Sequence, residues 1–150
     1  MNPKKDNAIH FIGGGWKCFS NFSSYMVEVD NILFPTSEHA YQYQKFESNV
    51  IKKEILNARS AYEAKIISQK YKDDIKPDWD SHKLKVMEDI LRKKLLQNPH
   101  IKKKLLETGD RELVENSKDD NFWGRGPDFK GYNHCGKIWM KLRSEIVDKN

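Results

Sequence analysis

The residues best suited to chemistry lie in one stretch, 36–46, which has the sequence TSEHAYQYQKF. Glu38, Tyr41, Gln42 and Lys45 would share one face of a helix, because successive helical residues are rotated by about 100°. A carboxylate in the first turn of a helix has its ionised form favoured by the helix dipole. Glu38 could then act as a carboxylate base or stabilise positive charge, or it could simply complement the dipole on a solvated surface.

Lys45 follows Glu38 by two helical turns, which is roughly 10 Å along the axis. Both side chains are long enough to lean toward one bound molecule. If Lys45 is partly removed from water its pKa falls, and its neutral amine becomes a nucleophile.

A second cluster occupies residues 119–126, DDNFWGRG. Trp123 could stack on a base or sugar, Gly124 would permit close backbone approach, and Arg125 could form a forked contact with a phosphate. The alternative is a turn with a core tryptophan. Trp79, between two aspartates, has the same two interpretations.

The stretch 131–138, GYNHCGKI, approaches the phosphate-binding pattern G-x-x-x-x-G-K-[ST]. Ile138 stands where a Ser or Thr should hold magnesium, and the preceding residues contain too many Gly and Pro for a buried strand. The sequence therefore argues against a nucleotide-hydrolysing loop. Gly136 and Lys137 are predicted to open a helix, whose N-terminus either binds an anion or is a plain junction with Lys137 in solvent.

Length and composition predict one soluble domain. The chain has 150 residues and a net charge of +5, which favours anionic partners such as nucleotides or phosphorylated metabolites and equally fits an ordinary soluble surface. Cys18 and Cys135 are predicted to be buried thiols, and no metal-ligand spacing occurs. Because there is neither a signal-peptide pattern nor an apolar run of roughly 20 residues, we predict a cytoplasmic protein with no membrane partner.

The elements that must position these residues follow from hydrophobic periodicity. Strands are predicted at 8–12, 25–29, 32–34 and 112–116, and helices at 38–46, 50–58, 62–71, 81–96, 101–107 and 136–147. Ser81 is the predicted N-cap of the longest helix, and Asn21, Trp79 and residues 119–133 are placed in loops. The predicted fold is a helix-rich α+β single domain over residues 1–150, with a small antiparallel sheet.

In their order along the chain, these features resemble the NADAR family, also called YbiA-like. The resemblance extends from about Ile9 to Arg143, and it rests on Phe19-Ser20-Asn21-Phe22, Pro35 to Gln42 with Lys45-Phe46, Trp79, Thr108-Gly109-Asp110, Glu112 to Glu115, Asp120 with Phe122-Trp123-Gly124, Gly131, Asn133, Gly136-Lys137 and Met140 to Arg143.

The resemblance implies an N-glycosidase that acts on a phosphorylated riboside, without a cofactor or metal. The implied substrate is either ADP-ribosyl-guanine, with DNA as a candidate carrier, or a ribosylamino-pyrimidine intermediate of riboflavin synthesis. Cleavage of the C–N bond builds positive charge at C1′ and the ring oxygen. The resemblance makes Glu38, Lys45 and Asp120 catalytic: Glu38 stabilises that charge, Lys45 captures C1′ as an imine, and Asp120 orients Lys45 or moves a proton.

The resemblance also implies a set of substrate-binding residues: Phe19, Ser20, Asn21, Trp79, Trp123, Gly124, Arg125, Asn133 and Lys137. The two tryptophans would stack on the base or wall the sugar, while Lys137 and Arg125 would take phosphate. The family commonly has a small or apolar residue at the position of Arg125, which leaves the role of this arginine open.

The competing prediction is a non-catalytic module that binds ADP-ribose, NAD or nucleic acid. The basic runs 92–94 and 102–104 favour it slightly, although they lack the interleaved aromatics of single-strand binders and fit a solvated helix face. The oligomeric state is not predicted.

Overall fold

The structure is a computed structural model that describes residues 7–148. The strands are β1 (Ile9–Phe11), β2 (Val27–Val29), β3 (Ile32–Phe34) and β4 (Leu113–Glu115). The α-helices are α1 (Ser37–Tyr43), α2 (Asn49–Leu56), α3 (Ala61–Lys70), α4 (Trp79–Gln97), α5 (Pro99–Glu107) and α6 (His134–Asp148), with 3-10 turns at Gly14–Phe19 and Lys72–Asp74. The predicted helix-rich α+β class is confirmed. Within 7–148 no helix is both long and apolar enough to cross a membrane.

The chain forms two compact units, one from the segments before Asn21 and after Asn98, the other from Asn21–Asn98. The prediction of a single domain over 1–150 stays a prediction, and each unit is described below by itself.

The predicted hairpin is present in the Asn21–Asn98 unit. Strands β2 and β3 pair antiparallel, with Val27 opposite Phe34. Asp30 and Asn31 connect them with φ values of 52° and 67°. Two positive φ angles are what a two-residue hairpin loop requires, and Asn and Asp tolerate them better than most residues. The Asp-Asn pair therefore determines this turn locally.

Helix α1 begins at Ser37, one residue before the predicted start, and the Thr36 hydroxyl caps it by accepting a hydrogen bond from the His39 N–H at 3.1 Å. It contacts α2, α3, α4 and the hairpin, which bury every residue from 37 to 42. The helix ends at Tyr43 rather than at the predicted Phe46. Phe46 instead joins a core cluster that includes Ile55.

Helix α4 begins two residues earlier than predicted. Asp78 occupies the N-cap position, and the Ser81 hydroxyl bonds back to the Asp78 carbonyl at 2.7 Å from within the first turn. The placement of Trp79 in a loop and of Ser81 at the N-cap was therefore wrong. Trp79 lies on the same helical face as the buried Ile90, so extending the helix buries the indole.

The unit built from the chain ends contains a parallel pair, β1 with β4, in which Ile9 lies opposite Leu113. Helix α6 packs on β4, and the Trp139 indole N–H donates to the Phe19 carbonyl at 3.0 Å. The predicted antiparallel sheet is therefore present as the β2–β3 hairpin. A second, parallel sheet pairs β1 with β4, which are about a hundred residues apart in the chain. Cys18 and Cys135 are buried free thiols, as predicted.

Helix α6 begins at His134, so the expectation that Gly136 and Lys137 open it was wrong. A Cβ on Gly136 would lie 2.1 Å from the Leu113 carbonyl oxygen and 2.4 Å from Asn133 Nδ2. Glycine is required here because the helix approaches the strand backbone closely, whereas Lys137 is exposed.

Gly136→Ala is expected to lower the free energy of unfolding by about 1–3 kcal/mol, since overpacking forces the helix and strand apart. Urea unfolding would measure it. Gly13→Ala is the matched control, because a Cβ at Gly13 meets no atom within 4 Å. Equal losses in the two variants would contradict the close-packing explanation.

Candidate active site

The carboxylate predicted to carry the chemistry is buried in the Asn21–Asn98 unit. Glu38 is 6% exposed. Its Oε1 accepts a hydrogen bond from Gln42 Nε2 at 2.7 Å, and its backbone N–H donates to the Asn21 carbonyl at 3.1 Å. Glu38 is not a solvated surface residue, so the interpretation as an exposed dipole partner does not hold.

Lys45 lies just beyond the end of α1, in a tight turn where its N–H donates to the Gln42 carbonyl at 3.2 Å. The expected shared helical face therefore ends before Lys45. The ammonium nitrogen nevertheless returns over the Tyr41 ring, 5.1 Å from its centroid. Burial lowers the pKa of Lys45 below 10.5, while the negative charge of Glu38 opposes the shift.

This pKa shift is the condition that makes Lys45 an amine nucleophile. Nearby charges on α3 and α4 also act on it: Lys83 and Lys65 lower the pKa further, and Asp80 raises it. The structure thus brings together a buried carboxylate and a partly desolvated amine, the two groups that the sequence singled out.

Trp79 is buried, with its ring 5.4 Å from that of Tyr41. It also lines a cavity of about 400 Å³ together with Gln44, Glu47, Lys76, Asp78, His82, Lys85, Val86 and Asp89. The Lys76 N–H donates to the Lys45 carbonyl at 2.9 Å, which ties this cavity wall to the backbone of the candidate nucleophile. Trp79 is both a packing residue and a cavity wall, and its role in stacking stays a prediction.

Asn21 supports the first turn of α1. Its carbonyl accepts from the Glu38 N–H, and its Oδ1 accepts from the Ser37 hydroxyl at 3.0 Å. Lys94 reaches the same turn, with its Nζ 3.3 Å from the hydroxyls of Ser37 and of Ser23. Lys94 is wholly buried, so the interpretation of run 92–94 as a solvated face is wrong at this residue.

In the other unit, Asp120 organises the loop that carries the predicted binding residues. Its Oδ1 accepts from the backbone N–H groups of Phe122 and Trp123 at 2.9 and 2.8 Å. A Cβ on Gly124 would lie 2.9 Å from the Ser117 Cβ and 3.0 Å from the Glu115 carbonyl oxygen. The glycine thus allows close backbone approach, here to the protein's own chain.

Arg125 and Asn133 line a second cavity, of about 360 Å³, whose wall also includes Ala8, His10, Glu112, Val114, Phe129 and Gly131. The Arg125 guanidinium lies 3.9 Å from the Phe129 ring centroid and donates to the Gly126 carbonyl. Asn133 uses both amide atoms on β4, accepting from the Glu115 N–H and donating to the Leu113 carbonyl, both at 2.9 Å.

The remaining predicted residues of this unit differ in exposure. Phe19 is 1% exposed and packs between Phe11 and Trp139, so its side chain is part of the core. Ser20 is buried beside it, and Lys137 is exposed. The roles in binding assigned to these residues stay predictions, as does the catalytic role of Asp120.

Sequence reasoning gave no role to Gln42, although its spacing of four residues from Glu38 placed both on one helical face. It also missed Lys94, for which a signal existed: in α4 this lysine falls in the apolar stripe with Ile90.

Comparison with known proteins identifies the family of this chain. The NADAR domain family matches residues 11–147. The N-glycosidase Npun_R5314 of Nostoc punctiforme is 39% identical over 132 residues, which cover 86% of this chain and 85% of that protein. The N-glycosidase YbiA of Escherichia coli is 35% identical over 129 residues, covering 86% and 81% of the two chains.

The solved NMR structure of E. coli YbiA superposes with a TM-score of 0.84 at 30% identity, covering 97% of this chain and 92% of that one. The riboflavin biosynthesis protein VVA0006 of Vibrio vulnificus is 39% identical over 129 residues. The chain spans only 35% of the length of that protein. The helix-rich α+β fold is thus shared with YbiA, and two of the relatives are named N-glycosidases. The chain belongs to the NADAR family and is an N-glycosidase.

Proposed function

We propose that this enzyme hydrolyses the C–N glycosidic bond of a phosphorylated riboside. The observation that carries the proposal is the lowered pKa of Lys45 beside the buried Glu38. A non-catalytic binding module has no need for a desolvated amine near a carboxylate, and removing these charges from water costs free energy.

In the proposed reaction the C1′–O4′ bond breaks as the ring oxygen takes a proton, and the nitrogen of the base forms an open-chain iminium with C1′, whose positive charge is stabilised by Glu38. The neutral amine of Lys45 adds to C1′, the base leaves as a free amine after taking a proton, and an imine joins Lys45 to the sugar. Water then hydrolyses the imine, releasing the sugar aldehyde and restoring the amine. The net change is riboside plus water giving sugar phosphate and free base.

Two substrates fit this chemistry. A ribosylamino-pyrimidine of riboflavin synthesis is favoured by the names of relatives, the Vibrio riboflavin biosynthesis protein and the maize riboflavin biosynthesis protein PYRR. ADP-ribosyl-guanine in DNA is supported by the family resemblance and by the net charge of +5, which favours a polyanion. For either, we propose that Arg125 and Lys137 bind phosphate and that Asp120 moves a proton.

The purified protein should be incubated with each substrate, and the freed base measured by chromatography. We expect release of base from one substrate and little from the other, and the one that reacts identifies the branch. A protein that binds ADP-ribose tightly but releases base from neither substrate would support the binding module instead.

A further inference from the structure

The side chain of Gln42 makes an unusual set of contacts. It is 4% exposed, and its Nε2 donates to Glu38 Oε1 at 2.7 Å. Its Oε1 is fully buried and has no hydrogen-bond partner among residues 7–148. Because buried polar atoms are nearly always paired, an unpaired one calls for an explanation.

The orientation of this amide follows from the charge next to it. Rotating the amide by half a turn would place its carbonyl oxygen against the Glu38 carboxylate, so that two acceptors would face each other. The unpaired Oε1 is therefore a consequence of the hydrogen bond to Glu38. An apolar side chain of the same length would fill the space without leaving an acceptor unsatisfied.

We propose that Gln42 is a positioning residue, whose amide N–H holds the Glu38 carboxylate in its ionised form and fixes its direction. The inference rests on the proposed function and extends it to a residue that does not react. The spacing of four residues on α1 puts the two side chains one turn apart, where such pairs meet. A hydrogen bond donated to a carboxylate favours the charged form over the protonated one.

Several charged groups lie near this part of the unit, and the test variants leave all of them unchanged. Lys45 follows α1 and interacts electrostatically with Glu38, while Lys65 on α3 and both Lys83 and Asp80 on α4 act on Lys45. Lys94 on α4 bonds to Ser37. His39 points elsewhere, with its ring nitrogens 2.8 Å from Thr36 Oγ1 and 2.9 Å from the Ala58 carbonyl.

The direct test is Gln42→Met, which keeps the length of the side chain and removes the donor. Carbon-detected NMR of the Glu38 carboxyl would record its titration. We expect the midpoint to move upward by about one pH unit relative to the unchanged chain, a tenfold change in the ionisation equilibrium. The kcat for base release should fall while KM changes little, because the carboxylate is no longer held toward C1′.

Gln69→Met is the matched control, since Gln69 is exposed on α3 and the chemical change is identical. If Gln42→Met does not fold, Gln42→Asn withdraws the donor from Glu38 while keeping an amide. An unchanged Glu38 midpoint in a folded variant would overturn the proposal, whatever happens to activity. The NMR titration does not depend on turnover. If the protein cleaves neither substrate, the proposed function is contradicted, but the titration still tests whether Gln42 stabilises the ionised form of Glu38.

Discussion

Glu38→Gln is expected to reduce kcat for base release by about 10²–10³-fold, as losing one preorganised charge-stabilising group does. The transition state carries positive charge at C1′, and a neutral amide offers it only a dipole. The substitution keeps the shape of the side chain, and the new amide oxygen can still accept from Gln42 Nε2. The fold should survive, because a buried charge is replaced by a neutral group of the same size.

The measurement is steady-state release of base, with circular dichroism and thermal unfolding as checks on the fold. Glu107→Gln is the matched control, because it is the same substitution at an exposed position of α5. Near-normal turnover by a folded Glu38→Gln protein would reduce Glu38 to a structural residue and remove the carboxylate from the mechanism.

Lys45→Arg is expected to lower kcat by about 10²–10⁴-fold, the range for loss of one positioned catalytic group. Arginine keeps the positive charge but stays protonated in proteins, so it cannot form an imine. Borohydride reduction during turnover should attach one sugar to Lys45 in the unchanged enzyme and none to the variant. Lys53→Arg on the exposed face of α2 should keep both the activity and the adduct.

The activity of the enzyme should increase with pH, because the reactive form of Lys45 is the neutral amine. Burial lowers the pKa of Lys45 below 10.5, so the neutral amine increases as the pH rises through this lowered value. The rate of the imine route should rise across the same range. An active enzyme without any adduct on Lys45 would favour direct attack of water oriented by Glu38.

The same shift in pKa affects stability. Between the folded pKa of Lys45 and 10.5, the unfolded chain binds one more proton than the folded chain, so the free energy of unfolding rises with pH in this range.

Much of the candidate site could be predicted because its parts are local. Thr36 caps α1 through its own side chain, and the spacing of Glu38 and Gln42 places them one turn apart. The Asp30-Asn31 turn sets the hairpin register without help from distant residues. Each of these follows from hydrogen bonds between residues no more than four or five positions apart.

The errors occurred where distant packing overrides local signals. Ser81 is a good N-cap by type, yet burial of Trp79 against Tyr41 starts α4 earlier. Gly136 looked like the start of a helix, but it is glycine because the Leu113 carbonyl lies against it. Neither contact has a signature within a few residues.

The sequence by itself determined which groups are available for the chemistry, the order of the helices and strands, and the N-glycosidase family to which they belong. Only the tertiary structure decided that Glu38 and Lys94 lie away from water, that Lys45 is desolvated, and that β1 pairs in parallel with β4. The physical reason is that burial is produced by segments far apart in the chain. The pKa of a lysine depends on that burial, and neither residue type nor spacing specifies it.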